Sequence, residues 1–446
     1  MLDALESSPS ADPAVLAHHA AGAGDTIRTL RYAAHAGRAA ARSGAHTQAA
    51  AFFRIALDQG VAATPADEAE LLELLAGECY LTDHLDDAIA ASERAMALRE
   101  RSQDLAGVST NHHALSVYQW YNANRDVAEQ HAEAAAAVLD SESDLRSDTD
   151  RVRFGHAVAM QSYLAVQAND VDRARTLLRR AAAVSAEIKA DIDPSLSVRI
   201  RLIGGICDVL EDCGGSREAT LSILDGAHEQ LDEIYSSGYS NLTYLDVEQR
   251  RLRDATELLA FTLPLTVERD LPICHVWQLG ARGRLKLIEG DWREAVVDAD
   301  TVLSGPSSPL ARTWPHLLRG LVRLRTGGDA DADLEGAWQL ASRLAEPMRM
   351  LPAAAALVER AWLKGQSDDR LEECRDLLQR TTRAGLEWAR GELASWLHRL
   401  DPTRHWTYPA TSPSRISCRS VVISQLRPRC GRHSAHRTNA LSPSST

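Results

Sequence analysis

The chain has 446 residues, 45 % apolar, 25 % charged and 5 % aromatic, with a formal net charge of −13. That is ordinary folded-protein composition, and it excludes collagen-like, low-complexity and membrane-spanning classes. From Leu400 onward there are seven arginines and one acid, leaving −19 on the remainder, and so acidic a body argues against direct binding to nucleic acid.

Residues 1–10 (MLDALESSPS) read as a flexible N-terminal remnant. They carry no basic segment followed by an apolar stretch, so no signal peptide is expected. No apolar run approaches the roughly 18 residues of a membrane helix, and a cytoplasmic location is expected. The seven cysteines form no CxxC pair, which fits buried thiols in a reducing compartment. Only three lysines occur (Lys189, Lys286, Lys364) against 46 arginines, a bias expected of a GC-rich genome.

Residues 11–400 are expected to form one helical-repeat domain. Small or polar turn residues are followed by an amphipathic helix with alanine on its inner face: GAHTQAAAFFRIAL (44–57), DHLDDAIAASERAMAL (83–98), ANRDVAEQHAEAAAAVL (123–139), NDVDRARTLLRRAAAV (169–184) and GDWREAVVDADTVL (290–303). The first inner alanines are Ala49, Ala88, Ala128, Ala174 and Ala295, and the first three intervals are 39, 40 and 46 residues. In the last unit Trp292, Ala295, Val296, Ala299, Val302 and Leu303 lie on one stripe of a 3.6-residue helix. Helices such as ELLELLAGECYL and VAMQSYLAVQ fill the intervals. A single hairpin cannot bury such a face, whereas stacked hairpins can. The expected fold is therefore all-α, a right-handed α-solenoid of degenerate tetratricopeptide-like hairpins, with spacing longer than the usual 34 or so residues. Pro, Gly, Ser, Asp and Asn clusters predict loops near 60–66, 140–148, 189–194, 236–242 and 304–309, the last (SGPSSP) being the clearest break in the array.

The search for chemistry returns no catalytic, cofactor or metal residue. A P-loop needs GxxxxGK[ST], and the three lysines are followed by Ala190, Leu287 and Gly365. The adjacent pairs His18–His19 and His112–His113 diverge by about 100° on a helix and read as structural. Cys274–His275 has no second pair to complete a metal site. No GxSxG elbow is present. Asp86–Asp87, Asp298–Asp300 and Asp368–Asp369 read as capping or solvated acids. Eight of nine tryptophans follow residue 270; Trp277, Trp292, Trp314, Trp338, Trp362, Trp388 and Trp396 are expected chiefly in the core, with a share in a concave binding surface.

The stretch LAHHAAGAGD followed by TLRYAAHAGRAAARSGAHTQAAAFFRIAL (within 16–57) resembles the opening of the helical-repeat region of large ATP-binding LuxR-family transcriptional regulators. NLTYLDVEQRRL (241–252), LPLTVERDLPICHVWQLGARGRLKLIEGDW (263–292), SPLARTWPHLLRGL (308–321) and GLEWARGELASWL (385–397) are similar to the same region. The resemblance covers nearly all of 11–400. It implies a non-enzymatic sensor or interaction region that binds an unidentified protein or small-molecule effector. Neither the P-loop motif of the family's ATPase nor its helix-turn-helix motif is present in these residues, so ATP and DNA binding transfer to no residue here. The alternatives are a freestanding tetratricopeptide adaptor for a peptide or protein, and a helical enzyme with a site in the solenoid hollow.

Residues 401–446 read as a disordered basic tail. They also permit an out-of-frame reading: with suitable synonymous codons, a one-nucleotide shift of 411–446 encodes a product containing ISGDFSAAAEVWAALG, a further unit of the GDWREA type.

Overall fold

The computed structural model describes residue 6 and residues 12–60, 64–140, 147–189, 192–212, 214–226 and 232–403. Most of the expected N-terminal remnant and all but three residues of the expected tail, with its out-of-frame reading, lie outside the described residues. The described chain contains twenty α-helices and no strand. They alternate between two layers of a solenoid. The inner layer holds α2 (Thr26–Arg42), α4 (Pro65–Leu81), α6 (Leu105–Tyr121), α8 (Asp148–Gln167), α10 (Pro194–Leu210), α12 (Asp232–Glu248), α14 (Pro272–Glu289), α16 (Pro309–Thr326), α18 (Pro347–Lys364) and α20 (Glu387–Leu400). The outer layer holds α1 (Pro13–Gly22), α3 (His46–Asp58), α5 (Leu85–Arg101), α7 (Arg125–Ala137), α9 (Val171–Ser185), α11 (Ser216–Gly226), α13 (Leu252–Glu268), α15 (Trp292–Ser304), α17 (Asp331–Leu344) and α19 (Leu371–Arg380). Each helix packs on its chain neighbours, and successive inner helices from α4 onward also pack on one another.

The inner alanines explain the spacing. Ala49, Ala88, Ala128, Ala174 and Ala295 are all fully buried, and each is the fourth residue of its outer helix. Ala255, Leu334 and Cys374 hold the same position in α13, α17 and α19 and are equally buried. The small side chain lets outer and inner helices approach closely: a Cβ on Gly283 of α14 would sit 3.4 Å from the Ala295 carbonyl. Helix starts are set by short polar residues. Asp25, Asp104, Asp170 and Asp291 each accept the N–H of the third helical residue, and Ser147 with Asp150 forms a capping box. Proline, with no N–H to leave unpaired, opens α4, α10, α14, α16 and α18.

The predicted loop at 236–242 is overturned: those residues lie inside α12. Their small and polar side chains serve close packing, not a turn. Ser236 and Ser240 are buried, and a Cβ on Gly238 would meet Leu224 Cδ2 at 2.5 Å.

The array then curls onto itself. Thr47 donates its N–H to Asp270 Oδ2 (2.6 Å), and the Ser308 N–H reaches Asp83 Oδ2 (3.1 Å). Trp120 and Arg125 reach Glu346, and Asn169 Nδ2 reaches the Ala384 carbonyl (3.4 Å). These pairs are 215–226 residues apart. On the later turn the partners Asp270, Ser308, Glu346 and Ala384 recur every 38 residues. One solenoid turn therefore stacks on the next through its hairpin corners.

Gly385 sits at such a corner with φ +86°, and a Cβ there would lie 2.5 Å from the Leu210 carbonyl oxygen of the earlier turn. Gly385→Ala is expected to destabilise by roughly 2–4 kcal/mol, from left-handed strain plus overpacking against backbone. Gly24→Ala, at φ +69° with nothing within 4 Å, should lose only the strain, about 1–2 kcal/mol. Paired urea titrations check the difference.

Candidate functional site

The first turn of the inner layer encloses a recess. Its wall is built by α4, α6, α8, α10 and α12 through Tyr80, Trp120, Met160, Tyr163, Ile203 and Asn241, among others. A narrow cavity of about 50 Å³, room for about three or four waters, lies within a wider recess of about 570 Å³ that opens to solvent. Small residues share the lining with the rings: Ala159 on α8 and Ser237 and Gly238 on α12. Trp120 and Tyr163 meet edge to face at 5.3 Å, as do Tyr80 and Tyr121. At the rim Asn241 Nδ2 donates to the Tyr163 hydroxyl (3.1 Å), and Gln167 Nε2 donates to Asn241 Oδ1 (3.1 Å). Among the described residues of the lining, Arg199 is the one charged side chain.

Trp120 belongs to two structures at once. Its ring walls the recess, and its indole N–H donates to Glu346 Oε1 at 2.7 Å. Glu346, fully buried, also takes Arg125 Nη1 (3.1 Å) and pairs with Arg349. The Arg349 guanidinium lies 5.1 Å from the Trp277 ring centre, 5.6 Å from Tyr244 and 5.7 Å from Trp120. The Tyr244 hydroxyl donates to the Met348 carbonyl (3.1 Å). A polar bridge encased in aromatic rings therefore ties α6 and α7 of one turn to the start of α18 on the next.

The sequence candidates are placed as follows. His18 and His19 stack on α1 at 5.6 Å. His112 Nδ1 meets His131 Nδ1 at 2.9 Å, and burial lowers both imidazoles. His113 is kept neutral by burial, by Arg199 and by His156. His275 Nδ1 is 2.9 Å from the Thr266 hydroxyl. Asp87 pairs with Arg54, Asp298 with Arg282 and Lys286, Asp300 with Arg319, and Asp368 with Arg360 and Arg370. Among the described residues no group of three or more His, Cys, Asp or Glu side chains is placed to hold a metal. Burial pushes the Cys79 thiol up to about 11 and those of Cys207 and Cys374 up to about 12, so these thiols are inert at neutral pH.

A Ser–His–Asp trio does occur. Ser195 Oγ lies 3.3 Å and Asp193 Oδ2 3.0 Å from His156, but both approach the same ring nitrogen, Nε2. A relay needs the acid on one nitrogen and the hydroxyl on the other, so this trio fixes the start of α10 and activates no nucleophile.

Of the late tryptophans, Trp277, Trp314, Trp338 and Trp396 are buried, Trp292 and Trp388 half-buried, and Trp362 exposed. None lines the recess, whose rings come from the first half of the chain. Their spacing was the available signal: Tyr80, Trp120 and Tyr163 recur at about the repeat interval near the ends of inner helices.

One inter-turn contact titrates near neutrality. Burial pushes the Asp83 carboxyl up to about 7, against the opposing Ser308 N–H, and its Oδ1 is buried without a hydrogen-bond partner. The folded state therefore holds this proton more tightly than the unfolded chain. The stability it contributes is full below pH 4 and is lost as pH rises towards 7. Unfolding free energy is expected to fall by roughly 2–3 kcal/mol between pH 5 and 8. Asp83→Asn, which keeps an acceptor for Ser308 and tolerates φ +61°, should flatten that slope; denaturant midpoints at both pH values measure it.

No family model and no curated protein matches the chain. Among solved structures it is similar to the TPR domain of P58(IPK), at 14 % identity over 84 % of this chain and 99 % of that chain, with a TM-score of 0.23. The α-solenoid assignment stands on the helix packing itself. No described helix is long and apolar enough to cross a membrane.

Proposed function

We propose that this chain is the effector-sensing helical-repeat region of a LuxR-type transcriptional regulator. The sequence resemblance over 11–400 supplies the family context. The observation that carries the sensing role is the double duty of Trp120, which walls the recess and donates to Glu346 on the adjacent turn. A molecule seated against that ring displaces or clamps the indole. The Glu346 bridge then weakens or tightens, and the stacking of the two turns changes. In a solenoid, curvature is set by small rotations per repeat, so a change at one corner is transmitted to whatever flanks the array. The ligand can bias the two arrangements only by its differential affinity for them.

The flanking DNA, read in all frames, tests the family context. A P-loop frame upstream and a LuxR helix-turn-helix frame downstream are expected, with a repeat unit in the shifted frame of codons 411–446. Absence of both flanking frames overturns the regulator reading in favour of a freestanding adaptor. Stop codons in the shifted frame overturn the out-of-frame tail.

A further inference from the structure

We infer that the recess on the first turn binds a small uncharged aromatic molecule of about single-ring size. The inference deepens the reading of this recess as an effector site and rests on it. Three properties of the wall select the ligand.

The first is that the polar groups of the wall already serve the protein. Trp120 gives its N–H to Glu346. Asn241 gives its two N–H donors to the Tyr163 hydroxyl (3.1 Å) and the Ser237 carbonyl (2.7 Å), and takes Gln167 Nε2 on Oδ1 (3.1 Å). The Ser237 hydroxyl donates to the Ile234 carbonyl (3.2 Å). Arg199 is likewise engaged within the chain, and its charge acts on the buried His113. A sugar, a peptide backbone or an ion entering the recess would give up its water for partners that are taken. An uncharged apolar molecule gives up no hydrogen bond by the exchange.

The second is the kind of apolar surface. The rings that line the recess pack edge to face: Trp120 with Tyr121 at 5.0 Å and with Tyr163 at 5.3 Å, and Tyr80 with Tyr121 at 5.3 Å. A further ring extends the same pattern and gains beyond its buried area. The Met160 thioether and the side chains of Ile203 and Ile206 complete the wall, and a thioether also favours an aromatic neighbour.

The third is size. The cavity of about 50 Å³ excludes fused ring systems and folded peptides, while the wider recess of about 570 Å³ gives a single ring its way in from solvent.

The test follows the full chain by methyl NMR, labelled at isoleucine and methionine. The probes are toluene, methylcyclohexane, benzoate, benzylammonium and maltose. Toluene is expected to shift the methyl groups of Met160, Ile203, Ile206 and Ile234, which line the recess, and to leave those of the exposed Ile27 and Ile55 in place. Benzoate and benzylammonium should bind at least about tenfold more weakly, because each would have to shed the water around its charge. Ser237→Trp and Val117→Phe, which fill the recess from half-buried positions on α12 and α6, should each abolish the toluene shifts; far-UV circular dichroism confirms that they fold. Toluene shifts that persist in a folded filling variant, or that appear equally at Ile27 and Ile55, overturn the inference. So do tighter binding of methylcyclohexane than of toluene, binding of benzoate, benzylammonium or maltose as tight as that of toluene, and no shift in water saturated with toluene. Toluene binding without flanking regulator frames would leave the ligand class standing and remove the regulator reading. Flanking frames without toluene binding would do the reverse.

Discussion

Glu346→Ala is expected to cost about 3–5 kcal/mol, because it leaves buried charges without their counterpart. The Glu346 side chain has no solvent exposure, and those of Arg125 and Arg349 are 7 % and 1 % exposed. Without the carboxylate, two guanidinium groups and the Trp120 N–H lose a common acceptor. Arg125 keeps the Leu164 carbonyl (2.8 Å) and Glu129, so the loss falls hardest on Arg349 and Trp120. Glu346→Gln keeps an acceptor for the indole and removes the charge, and should cost about half as much. The effect has a direction in space as well as a size. Glu346 is one of the corners spaced 38 residues apart that join the two turns, so the variant should loosen that stacking while each hairpin survives. Small-angle scattering should show a larger radius of gyration, with faster amide exchange concentrated in α6 and the start of α18. Uniform acceleration of exchange along the array would mean that Glu346 is a generic core residue with no linking role.

The local fold was legible because its causes are local. A buried alanine at the fourth position of an outer helix is both the sequence signal and the reason for close packing, and Ala49, Ala88, Ala128, Ala174 and Ala295 were found that way. The loop predicted at 236–242 failed because Ser, Gly and Asn have two uses. They punctuate turns, and they also let helices approach. Nothing in the segment itself says that Leu224 will press against Gly238. The stacking of one turn on another was not legible either. It depends on curvature summed over about five hairpins, and its polar contacts join residues more than 200 positions apart.

The recess was illegible for a related reason. A tryptophan at helical spacing reads as core wherever it lies, and the late cluster drew attention by number alone. Whether a ring packs or walls a space depends on what faces it. Trp314 faces Tyr244 at 5.6 Å and the Arg284 guanidinium at 5.0 Å and is enclosed. Trp120 shares the lining of the recess with small residues on α8 and α12, and its indole N–H reaches the inter-turn bridge. The missing information was the pairing of a large residue on one inner helix with small ones one and three inner helices away.

Arg284→Ala should be as damaging as loss of Glu346, and for the same reason with the signs reversed. Its side chain is 3 % exposed and joins Glu248 of α12 to Glu392 of α20, each at 3.2 Å. Burial alone would raise the Glu392 carboxyl, but Arg284, Arg250 and Arg325 together hold it below its ordinary value. Removing Arg284 leaves Glu248 and Glu392 only the longer pairings to Arg250, at 3.9 and 3.8 Å, at a cost of about 3–5 kcal/mol near neutral pH. In the native chain Glu392 adds stability above its unfolded pKa and loses it as pH falls. In the variant the loss of one of its three guanidinium neighbours raises its folded pKa, so that contribution is smaller and the deficit against the native chain shrinks as pH falls. The gap between variant and native chain should therefore be larger at pH 8 than at pH 5. Arg284→Met combined with Glu392→Leu, which removes charge from both sides, should recover a substantial part of the loss. Glu392 ties the last described helix to α14, so amide exchange in α20 should rise first in Arg284→Ala, with the first turn unaffected. A deficit independent of pH would show that Arg284 acts through its packing on Trp314 and not through its charge.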